Sequence, residues 1–402
     1  MRIVLEFAQL ARRSCQAIRA ASIAAGHRVT ASCPGAAPRT LSRPAAVTAV
    51  GASALAVALV AACGGNAAAA GGPASPHCGT RITTDTILNA NLLGCAGDGL
   101  VIAADGITVN LNGHTIGGDG VPGDVAPDAG VRMEGRHGVT LIDGTIRDFD
   151  RGISIEGGNR NHVARLTGSG NSRSAIAVIS SSRNVIWANV THGNHVGIFL
   201  SGSDHDRVQG NRSYGNEQGI TVQDAADNND VSANRITGNG DNLIISASGN
   251  RITGNVVSHS VACGPDCGGY GISLEAGQNN VIADNSVSRT LRDGIRVSAF
   301  DPEQPTSGNV VQGNHVSATM ADGISVATSG DGPVDTTTLS GNIVTSSGGD
   351  GIHINSPATT VTRNRAIHNA HFGIEAVVGV LDGGGNIASG NGTTDQCINI
   401  QC

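Results

Sequence analysis

Short runs in which apolar and polar residues alternate recur through most of the chain. In Gly219–Val222, for example, a threonine separates Ile220 from Val222, and the same alternation returns in Asn250–Ile252. Alternation with a period of two predicts β-strands with one buried and one exposed face. Gly, Asn and Ser separate the runs, as expected for tight turns. The pattern therefore predicts an all-β chain of many short strands.

A block of the form Asn-x-(Val/Ile)-x-x-Asn-x-(Val/Ile)-x-x-Asn repeats between residues 184 and 391, at spacings of 21 to 30 residues. A Gly-Ile signature, or one close to it, lies between the copies. The central asparagines are Asn189, Asn211, Asn234, Asn255, Asn285, Asn314, Asn342, Asn364 and Asn386. The Gly-Ile signatures open at Gly197, Gly219, Gly271, Gly294, Gly323, Gly351 and Gly373. A long fixed period is typical of a solenoid, because one unit alone cannot bury its apolar face.

About three strands per unit, stacked in parallel, predict a parallel β-helix of about 11 to 12 coils of roughly 22 to 30 residues. Asparagines at the same corner of successive coils are expected to bond amide to amide along the stack. The simpler interpretation of each single Asn or Gly is turn formation. Trp187 is predicted to point outward, in a column that continues as Gln209, Ser232 and Thr253.

The stretch DGLVIAADGITVNLNGHTIGG, from Asp98 onward, carries a resemblance together with the Asn and Gly-Ile repeats. It resembles the right-handed parallel β-helix repeat family, in the pectin-lyase-like superfamily with its NosD-like branch. The resemblance covers about Cys78 to Cys402 and implies a right-handed, single-stranded coil. It implies no single activity, since such folds carry many functions. We expect an N-terminal cap over residues 78–98 and the β-helix over residues 99–402.

The first 44 residues are rich in Ala and Arg without a clear period, and are interpreted either as an unusually long leader or as the result of a wrongly placed start codon. Residues 45–62, AAVTAVGASALAVALVAA, then form an uncharged apolar run preceded by Arg39 and Arg43. A positive segment followed by such a run is the pattern of an export signal. A transmembrane anchor is the alternative interpretation of the same run. We therefore expect an exported protein.

The apolar run ends in VAACG at residues 60–64, which resembles a bacterial lipobox. The resemblance implies lipidation of Cys63, whereas AAA at residues 68–70 offers a competing cleavage site. Residues 63–77 would then be a flexible linker. The expected location is therefore the cell envelope, as a lipoprotein, or the medium, as a secreted protein. Contact with a membrane is expected only through the lipid anchor.

Six cysteines follow Cys63 as three local pairs, and an even count in an exported chain predicts disulfides. Fifteen pairings are formally open, but distant coils of a solenoid cannot meet. The local pairs are Cys78 with Cys95, Cys263 with Cys267, and Cys397 with Cys402. The first and last would staple the two ends of the stack, where strands lack a neighbour.

The net charge of the chain excludes some classes of binding partner. All 25 basic residues are arginines, and the chain beyond Ala62 carries 18 of them against 31 acidic residues, a formal charge of −13. Such a surface repels nucleic acid and anionic lipid. It also repels acidic polysaccharides unless a cation bridges the two. We expect no nucleic-acid partner, a monomer, and a polysaccharide or cell-surface glycan as the partner.

A catalytic or binding site on the outside of a β-helix needs side chains that point outward from neighbouring coils. Such coils lie about 4.8 Å apart. Aligned on the Gly-Ile signature, Asp293, Asp322 and Asp350 precede glycine in three successive units. Stacked carboxylates raise one another's pKa and share a proton or a cation, and carboxylate pairs catalyse glycoside hydrolysis. Asp before Gly is also common turn chemistry. Both interpretations stay open.

The units around this column are the wide ones, with insertions at residues 262–269, 300–307 and 328–336 that would wall a groove. Further candidates for substrate contact point outward nearby: Arg296, His353, Glu275, Tyr270 and Phe372. No metal-ligating residues are assigned, and Ca²⁺ is the one candidate cofactor. The Gly-His-Gly and Arg-Ile-Lys motifs of polygalacturonases are absent, and three methionines offer few copper ligands.

Two functions follow from these observations. The first is glycan or surface binding without catalysis, by an exported parallel β-helix. The second is a polysaccharide lyase, hydrolase or epimerase that works over the column, so whether the protein is an enzyme stays open. In that case Asp322 is the central acid or base, and Asp293 and Asp350 are its partners or Ca²⁺ ligands. Arg296 and His353 would then contact the substrate.

Overall fold

The computed structural model describes residues 75–123, 127–263, 267–299, 306–327 and 334–402. The leader, the export signal, most of the linker and the lipidation of Cys63 lie outside the described residues. In the described ranges the secondary structure consists of forty strands and no helix. Accordingly, no helix there has the length and apolar character needed to span a bilayer.

The strands are short, because turns interrupt the alternating pattern every few residues. In chain order they are β1 (Thr80–Ile82), β2 (Thr86–Ile87), β3 (Leu92–Cys95), β4 (Leu100–Ile102), β5 (Thr108–Asn110), β6 (Thr115–Gly118), β7 (Ala129–Glu134), β8 (Thr140–Arg147), β9 (Arg151–Glu156), β10 (His162–Ser169), β11 (Ser174–Ile179), β12 (Val185–Trp187), β13 (Val190–His192), β14 (Val196–Ser201), β15 (Arg207–Gln209), β16 (Arg212–Tyr214), β17 (Gln218–Gln223), β18 (Asp230–Ser232), β19 (Arg235–Thr237) and β20 (Asp241–Ser246). They continue as β21 (Arg251–Thr253), β22 (Val256–Ser258), β23 (Ile272–Ala276), β24 (Val281–Ala283), β25 (Ser286–Ser288), β26 (Ile295–Ser298), β27 (Thr306–Ser307), β28 (Val310–Gln312), β29 (His315–Ser317), β30 (Ile324–Ala327), β31 (Val334–Asp335), β32 (Thr338–Ser340), β33 (Ile343–Thr345), β34 (Ile352–Asn355), β35 (Thr360–Thr362), β36 (Arg365–Ile367), β37 (Ile374–Ala376), β38 (Leu381–Asp382), β39 (Ile387–Ser389) and β40 (Cys397–Ile398).

Every strand pair is parallel, as the repeat predicts. One strand from each coil enters a fourteen-stranded sheet, which we call the front sheet, in the order β1-β4-β7-β9-β11-β14-β17-β20-β23-β26-β30-β34-β37-β40. Most of the remaining strands form the other walls of the coil, which we call the back sheet, and β27 pairs with β31 alone. The all-β parallel solenoid is confirmed.

The stack has more coils than the 11 to 12 predicted, since the front sheet has fourteen strands. The segment expected as a cap, residues 78–98, supplies β1, β2 and β3. These strands pair in parallel with β4, β5 and β6, so this segment is itself the first coil. Its sequence lacks the Asn and Gly-Ile signature on which the count was based.

The core is a column of aliphatic side chains that repeats from coil to coil. On the front sheet, Ile198, Ile220, Leu243, Ile272 and Ile295 follow one another in register and are fully buried. Each coil hides too little apolar surface to be stable alone, so stacking supplies the burial.

Asparagine ladders run along the corners of the coil, as predicted. The side-chain amide of Asn255 donates to Oδ1 of Asn285 at 3.0 Å, and the amide of Asn285 donates to Oδ1 of Asn314 at 3.0 Å. The same amide groups also donate to backbone carbonyls of the preceding coil, 2.9 Å from Asn285 to Ile252. These buried amides are therefore paired on both sides, which fixes the corner of each coil.

The three predicted disulfides are present, joining Cys78 to Cys95, Cys263 to Cys267 and Cys397 to Cys402. On the back sheet, Trp187 is 40% exposed and stands in register with Gln209, which pairs in turn with Ser232. Its predicted outward position and its column are confirmed.

Candidate functional site

The aspartates of the predicted column lie at the start of neighbouring front-sheet strands. Asp293 Oδ1 accepts the backbone N–H of Asp322 at 3.2 Å, and Asp322 Oδ1 accepts that of Asp350 at 2.8 Å. Asp350 Oδ1 in turn accepts the N–H of Phe372 at 2.9 Å. One oxygen of each carboxylate thus accepts a hydrogen bond from the backbone of the next coil. This structural role by itself explains why aspartate recurs at this position.

The same column continues toward the N-terminus with two residues of different kinds. Tyr270 occupies the place between Asp241 and Asp293, and its N–H donates to Asp241 Oδ1 at 3.1 Å. The second oxygen of Asp241 accepts the N–H of Gly268 at 2.8 Å. Asp241 was missed by the sequence analysis, because the residue that follows it is Asn242 instead of glycine.

The carboxylates of the column differ in protonation. Burial raises the pKa of Asp293 to about 6, and the nearby charge of Asp322 adds to the rise. Burial also raises the pKa of Asp322. For Asp350, burial acts in the same direction, but the hydrogen bond with His353 and that from the Phe372 N–H outweigh it, so its pKa is lowered. Along these three aspartates, Asp293 is therefore the most readily protonated and Asp350 the one that stays ionised.

A second outward row lies two residues after each glycine. In this row Ser273, Arg296, Ser325, His353 and Glu375 pair in register. Glu275 lies one coil before Arg296, as expected, and the register neighbour of Arg296 on that coil is Ser273. Glu275 lies where the register between β20 and β23 shifts, and its Oε1 accepts the hydroxyl of Ser273 at 3.2 Å. Burial raises the pKa of Glu275.

Tyr270 forms an aromatic and cationic cluster with two arginines. The guanidinium of Arg296 lies 4.8 Å from the centre of the Tyr270 ring and also donates to its hydroxyl. That of Arg292 lies 5.9 Å from the same ring. Such contacts orient a ring and two planar donors together on the outer face.

Farther along the stack, His353 stands between two carboxylates. Its Nδ1 is 3.0 Å from Asp350 Oδ2 and 3.0 Å from Glu375 Oε2. The hydrogen bond with Asp350 raises the pKa of His353 to about 9, against the opposing effect of burial. The side chains of His353 and Glu375 are 34% and 37% exposed, whereas that of Asp350 is 7% exposed. The cluster is therefore open to solvent on one side.

Glu375 was missed by the sequence analysis. Its signal was available, since Glu375 stands two residues after Gly373 as His353 stands two after Gly351. Of the predicted residues, the structure brings Asp322, Asp350 and His353 together, with Phe372 joined to Asp350 through its backbone. Asp293, Arg296 and Tyr270 form a second group one to three coils away. The predicted loop walls fall partly outside the described residues, at 264–266, 300–305 and 328–333.

A basic cavity of about 430 Å³ opens on the front sheet nearer the N-terminus. Arg151, Arg173, His195 and Phe199 line it, together with the buried hydroxyl of Ser174. The hydroxyl has no hydrogen-bond partner among the described residues. The sequence analysis did not find this cavity, because its residues come from four different coils.

Fold and site together define the class, and the chain is a right-handed parallel β-helix protein. Residues 244–366 match the family model described as "Right handed beta helix region". Residues 80–267 match the model of NosD, described as a periplasmic copper-binding protein. The predicted handedness and NosD-like resemblance are thereby confirmed.

Solved structures show the same fold in proteins of different function. The A-module of a mannuronan C-5 epimerase from Azotobacter vinelandii has 14% identity and a TM-score of 0.51, covering 73% of this chain and 82% of that one. The surface protein and adhesin PfbA of Streptococcus pneumoniae has 12% identity and a TM-score of 0.50, covering 81% and 90%. At these identities the likeness establishes the fold alone. A search of curated proteins found no match.

Copper, named in the NosD description, does not fit the matched part of the chain. Among the described residues, one group of three His, Cys, Asp or Glu side chains is close enough to hold an ion, namely Asp350, His353 and Glu375. That group lies beyond residue 267, where the NosD match ends. The described part of residues 80–267 therefore provides no such donor set for a copper ion.

Proposed function

We propose that this protein is an exported β-helix that binds a glycan along the outer face of its front sheet, without turning it over. The observation that carries this proposal is the Tyr270 ring, which has the guanidinium groups of Arg292 and Arg296 at 5.9 and 4.8 Å from its centre. The match to a periplasmic family supports export. Anchorage through Cys63 and free secretion are the two forms that export would take, and labelling with a fatty acid, lost in Cys63→Ser, separates them.

The cluster suits a saccharide for physical reasons. The apolar face of a sugar ring packs against an aromatic ring, and planar guanidinium groups donate paired hydrogen bonds to hydroxyl or carboxylate oxygens. Both groups stand on a rigid stack of parallel strands, so little conformational entropy is lost when a ligand binds.

A second contact lies in the same register row. Phe199, Thr221, Ile244, Ser273 and Arg296 follow one another in register, so four coil spacings separate Phe199 from Arg296. The three side chains between them are buried, so the ligand would pass over the residues that cover this part of the row. At about 4.8 Å per coil this is roughly 19 Å. That span suits an oligosaccharide better than a single sugar. Arg151 in this cavity is paired with Glu156 at 2.6 Å, so Arg173 is the arginine that favours a negatively charged group near Phe199, in contrast with the acidic chain as a whole.

The alternative function is a polysaccharide lyase, hydrolase or epimerase with Asp322 as acid or base. It is weakened because Asp322 Oδ1 accepts a backbone N–H, as does one oxygen of Asp293 and of Asp350. A Ca²⁺ ion bridging two of the remaining oxygens to an acidic glycan belongs to this alternative.

Binding is tested on a glycan array and then by affinity electrophoresis with the glycans that bind. We expect Tyr270→Ala to weaken binding about tenfold or more, about 1.4 kcal/mol. The matched control is Tyr214→Ala, since Tyr214 also contacts an arginine, Arg212, at 4.6 Å and stacks on His192, but lies on the back sheet. Equal losses in the two variants, or binding by neither wild type nor variants, would contradict the proposal.

Catalysis is tested with a panel of polysaccharides incubated with and without Ca²⁺. We expect no unsaturated, shortened or epimerised product from wild type. If wild type forms a product and Asp322→Ala does not, the protein is an enzyme, and the proposal of binding without catalysis is wrong.

A further inference from the structure

Three potential ligand atoms converge on the front sheet near its C-terminal end. Asp350, His353 and Glu375 each offer one such atom, all within 4.8 Å of one another, and His353 Nδ1 lies 3.0 Å from both Asp350 Oδ2 and Glu375 Oε2. They come from two adjacent coils, since His353 and Glu375 are direct neighbours between β34 and β37. Backbone pairing therefore fixes the separation of the two strands that carry them.

The carboxylate of Asp350 is oriented before any ion binds. Its Oδ1 accepts the N–H of Phe372 at 2.9 Å, which turns Oδ2 toward His353. A hydrogen bond to the far side of a ligating group is the usual way in which proteins fix a metal ligand.

Two carboxylates converge on one nitrogen of the cluster. Nδ1 of an imidazole carries at most one hydrogen, and His353 Nδ1 faces an oxygen of Asp350 and one of Glu375 at the same distance of 3.0 Å. A cation among the three side chains would contact all of them at once.

We propose that Asp350, His353 and Glu375 bind a divalent transition-metal ion of the Zn²⁺ type. Zn²⁺ binds imidazole nitrogen and carboxylate oxygen at about 2.0–2.2 Å, so ligand atoms on a tetrahedral ion lie about 3.4 Å apart. Both Nδ1–oxygen distances are 3.0 Å, so a small outward movement of the side chains would admit the ion. Ca²⁺ takes oxygen ligands at about 2.3–2.6 Å, which makes an imidazole ligand unsuitable.

The site is open and has a charged surrounding. Three protein ligands leave coordination positions for water or another ligand, as in metal sites that exchange their outer ligand. A further carboxylate, that of Asp322, lies one coil toward the N-terminus and accepts the backbone N–H of Asp350. The inference is independent of glycan binding, because neither Tyr270 nor its arginines take part.

The test is isothermal titration of the full chain, without a histidine tag and freed of metal by a chelator, with ZnCl₂. We expect one ion per chain at the highest affinity, and His353→Ala and Glu375→Gln should each weaken it about tenfold or more. Co²⁺ serves as a second probe, because its visible absorption bands report ligation. The matched control is His315→Ala, which removes an exposed imidazole from the back sheet.

Several results would overturn the assignment. They are absence of stoichiometric Zn²⁺ uptake by wild type, unchanged affinity in both variants, and displacement of Zn²⁺ by a modest excess of Ca²⁺. Circular dichroism verifies that each variant keeps the strand content of wild type, and His353→Gln replaces His353→Ala if the latter does not fold. Tyr270→Ala should take up Zn²⁺ as wild type does, which separates a failure of this site from a failure of glycan binding.

Discussion

Asp206 is a carboxylate within a row of asparagines, and Asp206→Asn is expected to stabilise the protein. Its Oδ1 accepts the N–H and the side-chain amide of Asn184, at 2.6 and 3.0 Å. Its Oδ2 is buried and has no hydrogen-bond partner among the described residues. In the next rung, the amide nitrogen of Asn229 donates to the carbonyl of Ser203 at 2.8 Å. An amide at residue 206 would restore such a donor.

The size of the effect follows from the pKa. Burial raises the pKa of Asp206 from 3.8 to about 6, although hydrogen bonds from Asn184 act in the other direction. Above about pH 6 the folded state must hold a charge that the unfolded chain carries at less cost, and the difference is about 3 kcal/mol. Below pH 3.8 both states are protonated and this cost vanishes. The gain from Asp206→Asn should therefore grow as pH rises from 4 to 7.

The assay is thermal unfolding of wild type and Asp206→Asn at pH 4 and pH 8. For a cooperative unit of about 330 residues, 3 kcal/mol corresponds to a rise in Tm of roughly 4 °C, expected at pH 8 and largely absent at pH 4. The control is Asp284→Asn, since Asp284 is exposed and its replacement should change little at either pH. Equal Tm values for Asp206→Asn and wild type at pH 8, or a gain that does not vary with pH, would refute this reasoning.

Three further expectations concern the stack. Gly294→Ala should lower the free energy of unfolding by about 1–3 kcal/mol, because a Cβ there would lie 2.3 Å from Val316 Cγ1. Asn285→Ala should cost about 2–4 kcal/mol, because it leaves buried partners in both adjacent coils unpaired. Reduction of the Cys78–Cys95 disulfide, which spans 17 residues, should cost about 3 kcal/mol. Urea or thermal unfolding measures all three.

Matched control variants show whether each loss of stability comes from the named contact or from a general sensitivity of the fold to substitution. Gly97→Ala is the control for Gly294→Ala, since a Cβ on Gly97 meets nothing within 4 Å. Asn89→Ala, at an exposed asparagine, is the control for Asn285→Ala. For the disulfide, the double variant Cys78→Ser, Cys95→Ser should match reduced wild type. If a control variant loses as much stability as the variant that it is matched with, the contact named for that variant is not the cause of the loss.

The sequence predicted those parts of the fold that repeat. The column of Trp187 and the asparagine ladder were found because each position recurs at the same offset from a corner asparagine. The number of coils was underestimated, because the first coils, including β1–β3, reach the same stack without that signature. A coil joins the stack through backbone pairing of short apolar strands, which does not require the Asn and Gly-Ile signature. A count based on that signature therefore misses such coils.

The site was less predictable, because it depends on neighbours across coils. Asp293, Asp322 and Asp350 were placed in one column, but their bonds to backbone N–H groups cannot be read from spacing. Glu275 lies one coil before Arg296, as expected, but the register shift between β20 and β23 at this residue has no signal in the sequence. The roles assigned to these residues stay predictions until the experiments above are done.

The corner ladder has a practical consequence. From Asn255 to Asn285 the chain adds 30 residues, and from Asn342 to Asn364 only 22, yet the amide-to-amide distances are 3.0 and 2.9 Å. The vertical spacing of the stack is thus insulated from the length of chain between its rungs. A foreign peptide spliced into a wide coil would be displayed outward at constant pitch, so this protein is a natural scaffold for presenting guest sequences at fixed intervals.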